Sequence, residues 1–502
     1  MRVLKQTNKP PPRGRMKRAL FPVSLMVLCF CAQGNQSTSD PAKPAASASP
    51  LGIAGIPAPS FGIEQTAADD AYTHWVDNSG LCSDAGAGTP ASPRCTIPSN
   101  LDAGAKVQIR GGPYDFPSDT TWSAAGSLAS PVFVRGPAAP ASLPVLSFDD
   151  NDRLMLSGTY LIVENLELRS GAVRIEASSH HVAVRRLYLH DNRSGPGSLL
   201  ANSGNDIVVY DCEIAYNGVI PSSSDDHGFQ TLGGTRNVWV LNNHIHHNSG
   251  DAIQFCHTCI GRGNGPANVY IGRNRLHDDE ENAIDIKETL GPVVISENEM
   301  YGYRPGEASG NGDALRINDE GAQGEIWVLN NRIHSSTIGI NANDSDAKTY
   351  ILGNRLWDIR GVAIGGTGRE TIVANNTVVN APRGIRGGTE VTGNIVSGAT
   401  SCHICRDVAG CSNNLVWQPG GTAVVEVPCS NVVRVDPLML TSGNEQTGLQ
   451  TGSPALDAGL AHPVYSYFQT TYGLDIRRDP SGTTRPQGTA WDIGALEVAA
   501  PR

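Results

Sequence analysis

Three charged residues in two similar segments could carry out proton-transfer chemistry. Asp285 and Lys287 lie in EENAIDIKE (280–288), and Arg316 lies in DALRIND (313–319). Breaking a uronic-acid polymer by β-elimination needs a cation for the sugar carboxylate, a base for the adjacent carbon-bound proton, and an acid for the leaving oxygen. Arg316 could bind the carboxylate through two parallel hydrogen bonds. Lys287 could be the base if partial burial and the charge of Arg316 lower its pKa.

Polar residues near these segments are candidates for the other roles. Calcium prefers oxygen ligands, and the carboxylates of Asp285, Glu280 and Asp313 could supply them. Candidate substrate contacts stand in or beside the same segments, and they are Gln254, His257, Tyr301, Tyr303 and Asn318. Among these contacts, the histidine and the two tyrosines are also candidates for the proton donor.

A short unit repeats along the chain from about residue 160. Each unit has two β-branched residues around one outward position, then Asn, a spacer and an aliphatic residue, as in NVWVLNNHI and EIWVLNNRI. Spacings of 18 to 33 residues with alternation inside each short strand predict a solenoid of stacked coils. Asn suits such a turn because it tolerates left-handed backbone and its amides can hydrogen-bond along the stack. The repeated residues are Asn165, Asn243, Asn274, Asn298, Asn331, Asn354, Asn376, Asn394 and Asn414, with Arg186 and Cys212 between the first two.

The pattern predicts three strands in each coil. Aliphatic pairs that point inward precede each Asn, a second strand follows the Asn turn, and a third strand carries further inward pairs. The outward residues of the third strand form two columns, one of Gln230, Gln254, Asp285, Arg316 and Gly339, the other of Cys256, Lys287, Asn318 and Asn341. Neighbouring side chains in such columns start about 5 to 8 Å apart. Asp285, Lys287 and Arg316 are therefore expected to meet.

Two coils near these residues are longer than the others. Counting between inward residues, 253 to 284 and 284 to 315 each span 31 positions, whereas 315 to 338 spans 23. The additional residues fall in 256–267, after one third strand, and in 301–312, before the next. These loops are expected to form opposite walls of a cleft around Lys287.

The Asn-punctuated coils resemble right-handed parallel β-helix proteins of the pectate-lyase-like superfamily, over roughly residues 70 to 498. WVDNSGLCSDAGAGTPASPRCTI followed by VQIRGGPYDF resembles their N-terminal capping coil, and SPALDAG with RPQGTAWDIGALE resembles their closing coil. The resemblance implies an all-β, single-stranded right-handed parallel β-helix over 61–498, with three short parallel sheets. The capping segment would cover about 70–135 and the closing segment about 436–498.

EENAIDIKE and DALRIND are similar to segments of the chondroitinase B and alginate lyase family of β-helix lyases. In that family carboxylates bind calcium, a Lys is the base, and an Arg lies on a following coil. The resemblance implies these roles for the three carboxylates named above, for Lys287 and for Arg316. The family pattern has His directly after the Arg, where this sequence has Ile317.

The first 34 residues predict an export signal. Four basic residues within 13–18 precede an apolar run at 19–32, which is too short to span a bilayer. Cleavage after Gly34 is the preferred interpretation, and lipid attachment at Cys31 is the alternative. Residues 35–60, rich in Ser, Ala and Pro, predict a flexible tether. The protein is therefore expected to be secreted or held at a cell surface.

Charge and cysteine usage agree with export. The net charge is −11, and the first 34 residues contribute seven basic and no acidic side chains, so the remainder carries −18. This charge argues against nucleic acid as a partner, and we expect a monomer that binds a polysaccharide. Nine cysteines follow residue 34, an odd number. We expect local disulfides, for instance Cys82 with Cys95, and a buried unpaired Cys212.

Several alternatives remain open from the sequence. Asp285, Lys287 and Arg316 could form only a surface network of ion pairs. The protein could then be a non-catalytic carbohydrate-binding or adhesin-like β-helix. A uronate epimerase would use the same proton abstraction, and the pair Asp278 and Asp279 resembles the paired acids of β-helix glycoside hydrolases.

Two further outward patterns have structural interpretations. A stripe that includes Trp239, Trp327 and Tyr350 could stack sugar rings, but a terminal segment or a long loop is expected to cover it. Histidines recur just after the Asn turn, at 244, 246, 247, 277 and 334. Their placement by the repeat favours a solvated polar face over metal ligation.

Overall fold

The computed structural model describes residues 52–498, apart from positions 69, 140, 150, 194–196, 222–224, 256–258, 260, 306–311, 319–323, 344 and 443–444. The predicted export signal, Cys31 and most of the predicted tether lie outside the described residues. Within the described ranges, no helix is both long enough and apolar enough to cross a membrane.

Parallel pairing between successive coils organises this part of the chain. Thirty-six of its strands form one continuous parallel network in which each strand pairs with the equivalent strand one coil away. Val238 lies opposite Val269, which in turn lies opposite Val293. The expectation of an all-β parallel β-helix with three strands per coil is confirmed.

The strands fall into three sheets, and three long strands run through the corners between them. The first sheet contains His74–Asp77, Lys106–Arg110, Val132–Arg135, Asn205–Tyr210, Arg236–Leu241, Ala267–Gly272, Val293–Ser296, Glu325–Leu329, Lys348–Leu352, Glu370–Ala374 and Val408–Ser412. The second contains Tyr114–Phe116, Val145–Phe148, Glu213–Ala215, His244–His246, Arg275–His277, Glu299–Tyr301, Arg332–His334, Arg355–Trp357, Thr377–Val379, Ile395–Ser397 and Leu415–Trp417. The third contains Asn100–Leu101, Thr120–Ala125, Ala172–Ile175, Ser198–Asn202, His227–Thr231, Ile253–Phe255, Ile284–Ile286, Asp313–Ile317, Ile338–Asn341, Val362–Gly366 and Cys402–Ile404.

The remaining elements connect or cover these sheets. Arg153–Arg169 pairs with strands of all three sheets, His180–His190 belongs to the first and second, and Arg383–Thr392 belongs to the third and first. Met439–Ser442 and Glu445–Leu449 form an antiparallel hairpin, and Pro463–Tyr472 is an α-helix.

Inward side chains form one continuous aliphatic core. Val238, Val240, Ile284 and Ile286 are all fully buried, as the alternation predicts. Each such residue stacks on its equivalent in the next coil, so the parallel register determines which outward residues become neighbours.

A ladder of asparagines fixes that register at the turn after the first sheet. The side-chain nitrogen of each Asn donates to the side-chain oxygen of the next at 2.9–3.0 Å, from Asn243 to Asn414. The predicted amide stack is confirmed. The left-handed residue is the one before the ladder position, for instance Asn242, with φ 57°. Asn165 and Arg186 occupy this left-handed column, and not the ladder as we expected.

The apolar stripe on the outer face of the first sheet is covered, as expected. Ile53, Ile56 and Phe61 pack on it from the N-terminal side, and the helix Pro463–Tyr472 packs on it from the C-terminal side. Trp239 donates its indole hydrogen to the carbonyl of residue 57 at 2.9 Å. Residues 52–60 therefore pack on the sheet, although their composition predicted a tether, because their isoleucines find an apolar surface.

Three disulfides lie in the described residues. The expected pair Cys82 and Cys95 is joined, and so are Cys402 with Cys405 and Cys411 with Cys429. Cys212 is buried and unpaired, as expected, and it occupies the ladder position before Asn243.

We predict that replacing one ladder residue destabilises the protein strongly. The Asn331 side chain donates to Asn354 and Ile295 and accepts two hydrogen bonds from Asn298. Asn331→Ala should lower the free energy of unfolding by roughly 2–4 kcal/mol, since it also leaves buried groups unsatisfied. Chemical denaturation measures the change. The control Asn100→Ala removes an exposed strand asparagine and should change stability by less than about 0.5 kcal/mol. Equal effects of the two substitutions would contradict the structural role of the ladder.

Candidate functional site

The outer face of the third sheet brings the predicted charged residues together. Gln254 pairs with Asp285 and Asp285 pairs with Arg316, each across one coil step. Asp285 is only 2% exposed and Gln254 only 3%, so the column is a buried surface and not a solvated ladder. Burial at this depth makes each charge depend on its immediate partners.

The next position in this column differs from the expectation. Leu315 pairs with Ile340, so Asn341 stands beside Arg316 where we expected Gly339. This difference arises because the two side chains that point into the core are those of Ile340 and Ala342, two residues later than the predicted Ile338 and Ile340. Arg316 therefore has an amide neighbour.

Each of the two predicted catalytic cations is held by its own carboxylate. The Lys287 ammonium forms a close ion pair with Asp285. Arg316 Nη1 lies 3.4 Å from Asp313 Oδ2, and the Asn341 amide donates to the same oxygen at 2.8 Å. Because Asp285 and Arg316 are paired in register, the two ion pairs are adjacent.

Further carboxylates line the preceding coils. Asp251 is fully buried, and its side chain accepts hydrogen bonds from Asn282 at 2.8 Å and from Gln254 at 3.1 Å. His227 Nδ1 accepts the Asp251 backbone hydrogen at 3.0 Å and lies 3.3 Å from Asp225 Oδ1. One ligand atom each from Asp225, His227 and Asp251 lies within 4.8 Å of the others.

Asp225 and His227 are outside the set that the sequence predicted. A signal was present, because an acidic or amide residue also leads into the third strand of the following coils, at Asp251, Asn282 and Asp313. DDH at 225–227 is the equivalent in the preceding coil.

Crowding disfavours the ionised form of these carboxylates. The Asp225 side chain is half exposed, and partial desolvation together with the charge of Glu281 raises its pKa to about 7. Burial and the charges of Asp285 and Glu281 raise the pKa of Asp251 well above its ordinary value. Burial also raises the pKa values of Asp285 and Asp313, against the opposing effect of their cationic and amide partners. The cluster would be stabilised by an added cation.

The pKa of Lys287 is shifted in the direction opposite to the expected one. Burial lowers it and the Arg316 charge lowers it further, but the paired Asp285 carboxylate outweighs both and the pKa is raised. Lys287 is thus protonated at neutral pH while Asp285 holds it. A role as base requires that this ion pair be loosened.

Two oxygens in the cluster are suited to a cation. Asp285 Oδ1 and Asp313 Oδ1 are buried and have no hydrogen-bond partner among the residues that the structure describes. Carboxylate oxygens without donors are ligands that calcium prefers, but the acidic group on this sheet whose ligand atoms lie close together is Asp225, His227 and Asp251. Glu280, the third predicted ligand, is also buried. The glutamate whose charge raises the pKa of Asp285 is, however, its neighbour Glu281.

The predicted substrate contacts lie in different places. Gln254 lies in the charged column, and Asn318 follows the next strand in line with Lys287, its backbone hydrogen donating to the Ile286 carbonyl at 2.9 Å. Both residues therefore border the two ion pairs.

The two tyrosines are placed differently from the expectation. Tyr303 is fully buried and its hydroxyl donates to Asp279 at 2.8 Å, so no substrate reaches it. Tyr301 lies on the second sheet, stacked between His277 and His334, and therefore on a different face. His257 and much of the two predicted cleft loops, at 256–258, 260 and 306–311, lie outside the described residues.

Comparison with known proteins gives similarity of fold only. No protein-family model and no curated protein matches the chain. Pectate lyase Pel9A aligns with a TM-score of 0.48 and 11% identity over 86% of this chain and 98% of its own. The PL6 family alginate lyase AlyGC aligns with a TM-score of 0.47 and 13% identity, over 69% of this chain and 52% of its own. GH136 lacto-N-biosidase from Eubacterium ramulus aligns with a TM-score of 0.41 and 13% identity, over 72% of this chain and 68% of its own. The expected resemblance to pectate-lyase-like β-helix proteins concerns the fold, and the parallel pairing of the coils themselves confirms that fold.

We predict a pH-dependent gain in stability when the charge of Asp225 is removed. The folded pKa is raised from 3.8 to about 7, so the unfolded chain ionises first, and the penalty on folding grows as pH rises between these two values and is complete above pH 7. Asp225→Asn should therefore raise the melting temperature more at pH 8 than at pH 5. Calorimetry in the presence of chelator checks this, with the exposed Asp102→Asn as the control. A difference between variant and wild type that is the same at both pH values would contradict the electrostatic account.

Proposed function

We propose that this protein is an exported polysaccharide-active β-helix that cleaves a uronic-acid-containing polymer by β-elimination. The observation that carries the proposal is the adjacency of Lys287 and Arg316 on one sheet face, each held by a carboxylate. A base beside a guanidinium is the pair that proton removal next to a sugar carboxylate needs.

Arg316 is the proposed carboxylate-binding residue. Its side chain is 22% exposed and contacts Asp313 through one nitrogen at 3.4 Å, which leaves donors for a substrate. A guanidinium can hold a carboxylate through two parallel hydrogen bonds, and this fixes the orientation of the sugar ring. Neutralising the sugar carboxylate makes the proton on the adjacent carbon more acidic.

Lys287 is the proposed base that removes this proton. Its side chain is 17% exposed and lies within the same buried surface. It becomes competent when Asp285 is drawn away from it, because burial and Arg316 then lower its pKa. The electron pair of the broken C–H bond then forms the new double bond as the glycosidic oxygen leaves.

Calcium is the proposed cofactor. Asp285 and Asp313 would hold it through their unpartnered oxygens, with Glu280, Glu281 and Asp251 as further carboxylates nearby. When bound, the ion supplies positive charge that neutralises both the cluster and the substrate carboxylate. This charge also compensates for the net negative charge of the chain.

His257 is the proposed donor to the leaving oxygen, since the two tyrosines are buried or on another sheet. It follows the strand Ile253–Phe255, whose Gln254 lies in the charged column. Export is proposed from the N-terminal pattern and is supported by the three disulfides, which persist in oxidising compartments.

We predict lyase activity that depends on Lys287 and Arg316. Purified protein should release unsaturated uronate products, followed by ultraviolet absorbance, from one of alginate, pectate, chondroitin, dermatan or heparan in the presence of calcium. Lys287→Ala should lower kcat by about 100- to 10,000-fold, as for loss of a general base. Arg316→Ala should lower kcat/KM by about 100-fold or more.

Lys348→Ala is the matched control, since this exposed lysine on the first sheet pairs with Glu370 at 3.3 Å. Its activity should stay within twofold of wild type. Folded protein that releases no unsaturated product from any polymer would overturn the lyase proposal. Deuterium exchange into the polymer without cleavage would then identify an epimerase, and binding without either reaction would identify a carbohydrate-binding β-helix.

We predict that calcium removal abolishes the activity reversibly. Chelator should suppress product release, and added calcium should restore it. Asp251→Asn should raise the calcium concentration for half-maximal activity by about tenfold or more, because it removes a charge from the cluster. The exposed Asp102→Asn should leave that concentration unchanged. Full activity in chelator would show that the cluster has another role.

A further inference from the structure

Three histidines and a glutamate lie side by side on the outer face of the second sheet, away from the charged column, and His277 touches the other three through His244. Glu213 pairs with His244 and His246 pairs with His277, so the four side chains span three successive coils. His246 is 5% exposed and His277 is 8% exposed, whereas the repeat pattern predicted a solvated face. The difference arises because the His246 and His277 rings stack in parallel, 5.1 Å apart, and shield each other.

The ring nitrogens of this cluster point at one another. His244 Nε2 lies 2.7 Å from His277 Nε2, and His246 Nε2 lies 3.4 Å from Glu213 Oε1. One ligand atom each from Glu213, His244 and His246 lies within 4.8 Å of the others. Tetrahedral zinc with bonds of about 2.0–2.1 Å places its ligand atoms about 3.3 Å apart. To admit the ion, the His244 and His277 nitrogens must therefore separate slightly, and the more distant ligand atoms must move closer together.

Asp278 and His247 hydrogen-bond the far ring nitrogens of His277 and His246 and hold these rings in the orientation that metal binding needs. His277 Nδ1 lies 2.9 Å from Asp278 Oδ2, and His246 Nδ1 lies 2.8 Å from His247 Nδ1. A proton on each Nδ1, donated to these partners, leaves the Nε2 lone pairs facing the cluster. A carboxylate that receives the distal hydrogen of a histidine is the usual support of a metal ligand.

His244 can also present a lone pair to an ion. His244 can carry its proton on Nδ1 when Nε2 binds an ion. Arg275 is the register neighbour of His244, and its guanidinium hydrogen-bonds Tyr301 and lies 4.0 Å from Glu299, which offsets part of its charge beside the cluster.

We propose that Glu213, His244, His246 and His277 form a zinc site that joins three successive coils. Three neutral imidazoles and one carboxylate are a donor set that zinc accepts in tetrahedral geometry. The side chain of Glu213 is 46% exposed, so the ion can enter from solvent on this side. The site is independent of the proposed polysaccharide chemistry, because its ligands lie on a different sheet.

The test is zinc binding by the untagged full-length protein, with His277→Gln as the variant. Wild type should bind one more equivalent of zinc in calorimetric titration than His277→Gln. Any zinc that binds to the Asp225 and His227 group is present in both proteins and cancels in this difference. Asp278 only hydrogen-bonds a ligand, so Asp278→Asn should lower the zinc affinity by about 10- to 100-fold. His277→Gln removes a ligand itself and should lower the zinc affinity by more than that. X-ray absorption at the zinc edge should show imidazole nitrogen ligands.

His334→Gln is the matched control, because this histidine stacks in the same column between Tyr301 and Trp357 but lies outside the cluster. It should bind as much zinc as wild type. Glu213→Gln, a substitution of a half-exposed side chain, repeats the test if His277→Gln fails to fold. Zinc should also raise the melting temperature of wild type by more than that of His277→Gln, since only the former gains this additional bound site. Equal zinc binding by wild type, Glu213→Gln and His277→Gln would overturn the proposal.

Discussion

The register between neighbouring coils is the constraint on which the rest of this structure depends. The asparagine ladder fixes that register through one side-chain hydrogen bond per coil, buried at the turn, and the inward aliphatic residues can only stack in the same alignment. Every outward residue then acquires neighbours above and below it, about 4.8 Å away. Asp285 beside Arg316, and His246 beside His277, are consequences of this alignment. The chain can therefore place charged or ligating groups from distant sequence positions side by side without dedicated loops.

This proximity produces the electrostatic character of both candidate sites. On the third sheet, several carboxylates share a buried surface, and Lys287 and Arg316 are the cations that oppose them among the residues the structure describes. The pKa values of these carboxylates rise, and that of Lys287 also rises through its pairing with Asp285. In the proposed mechanism, added positive charge that competes for Asp285 would free Lys287 to act as the base. On the second sheet the same crowding of imidazoles lowers their pKa values and keeps them neutral. Stacking thus creates an acidic site on one face and a neutral nitrogen-rich site on another.

The sequence predicted the repeated features well and the individual ones less well. Three strands per coil, the buried pairs and the covered Trp239 stripe follow from periodicity, because the same side-chain choice recurs in each coil. The predicted neighbour of Arg316, Gly339, was wrong. A count along one strand cannot reveal that the inward pair of the next coil is Ile340 and Ala342. Burial of Tyr303 and the pairing of Lys287 depend on contacts between coils, which spacing alone does not contain. The histidine cluster was predicted to be solvated because ring stacking along the column is a property of the assembled coils.

The most direct test of the central claim is an NMR titration of the Lys287 ammonium with lysine labelled at its ε carbon. The signals are few, because only Lys43, Lys106, Lys287 and Lys348 follow residue 34. The account predicts that the pKa of Lys287 is raised in chelator and falls by about one unit or more in saturating calcium, and that Asp285→Asn also lowers it. A pKa of Lys287 that is the same with calcium, with chelator and in Asp285→Asn would contradict the account.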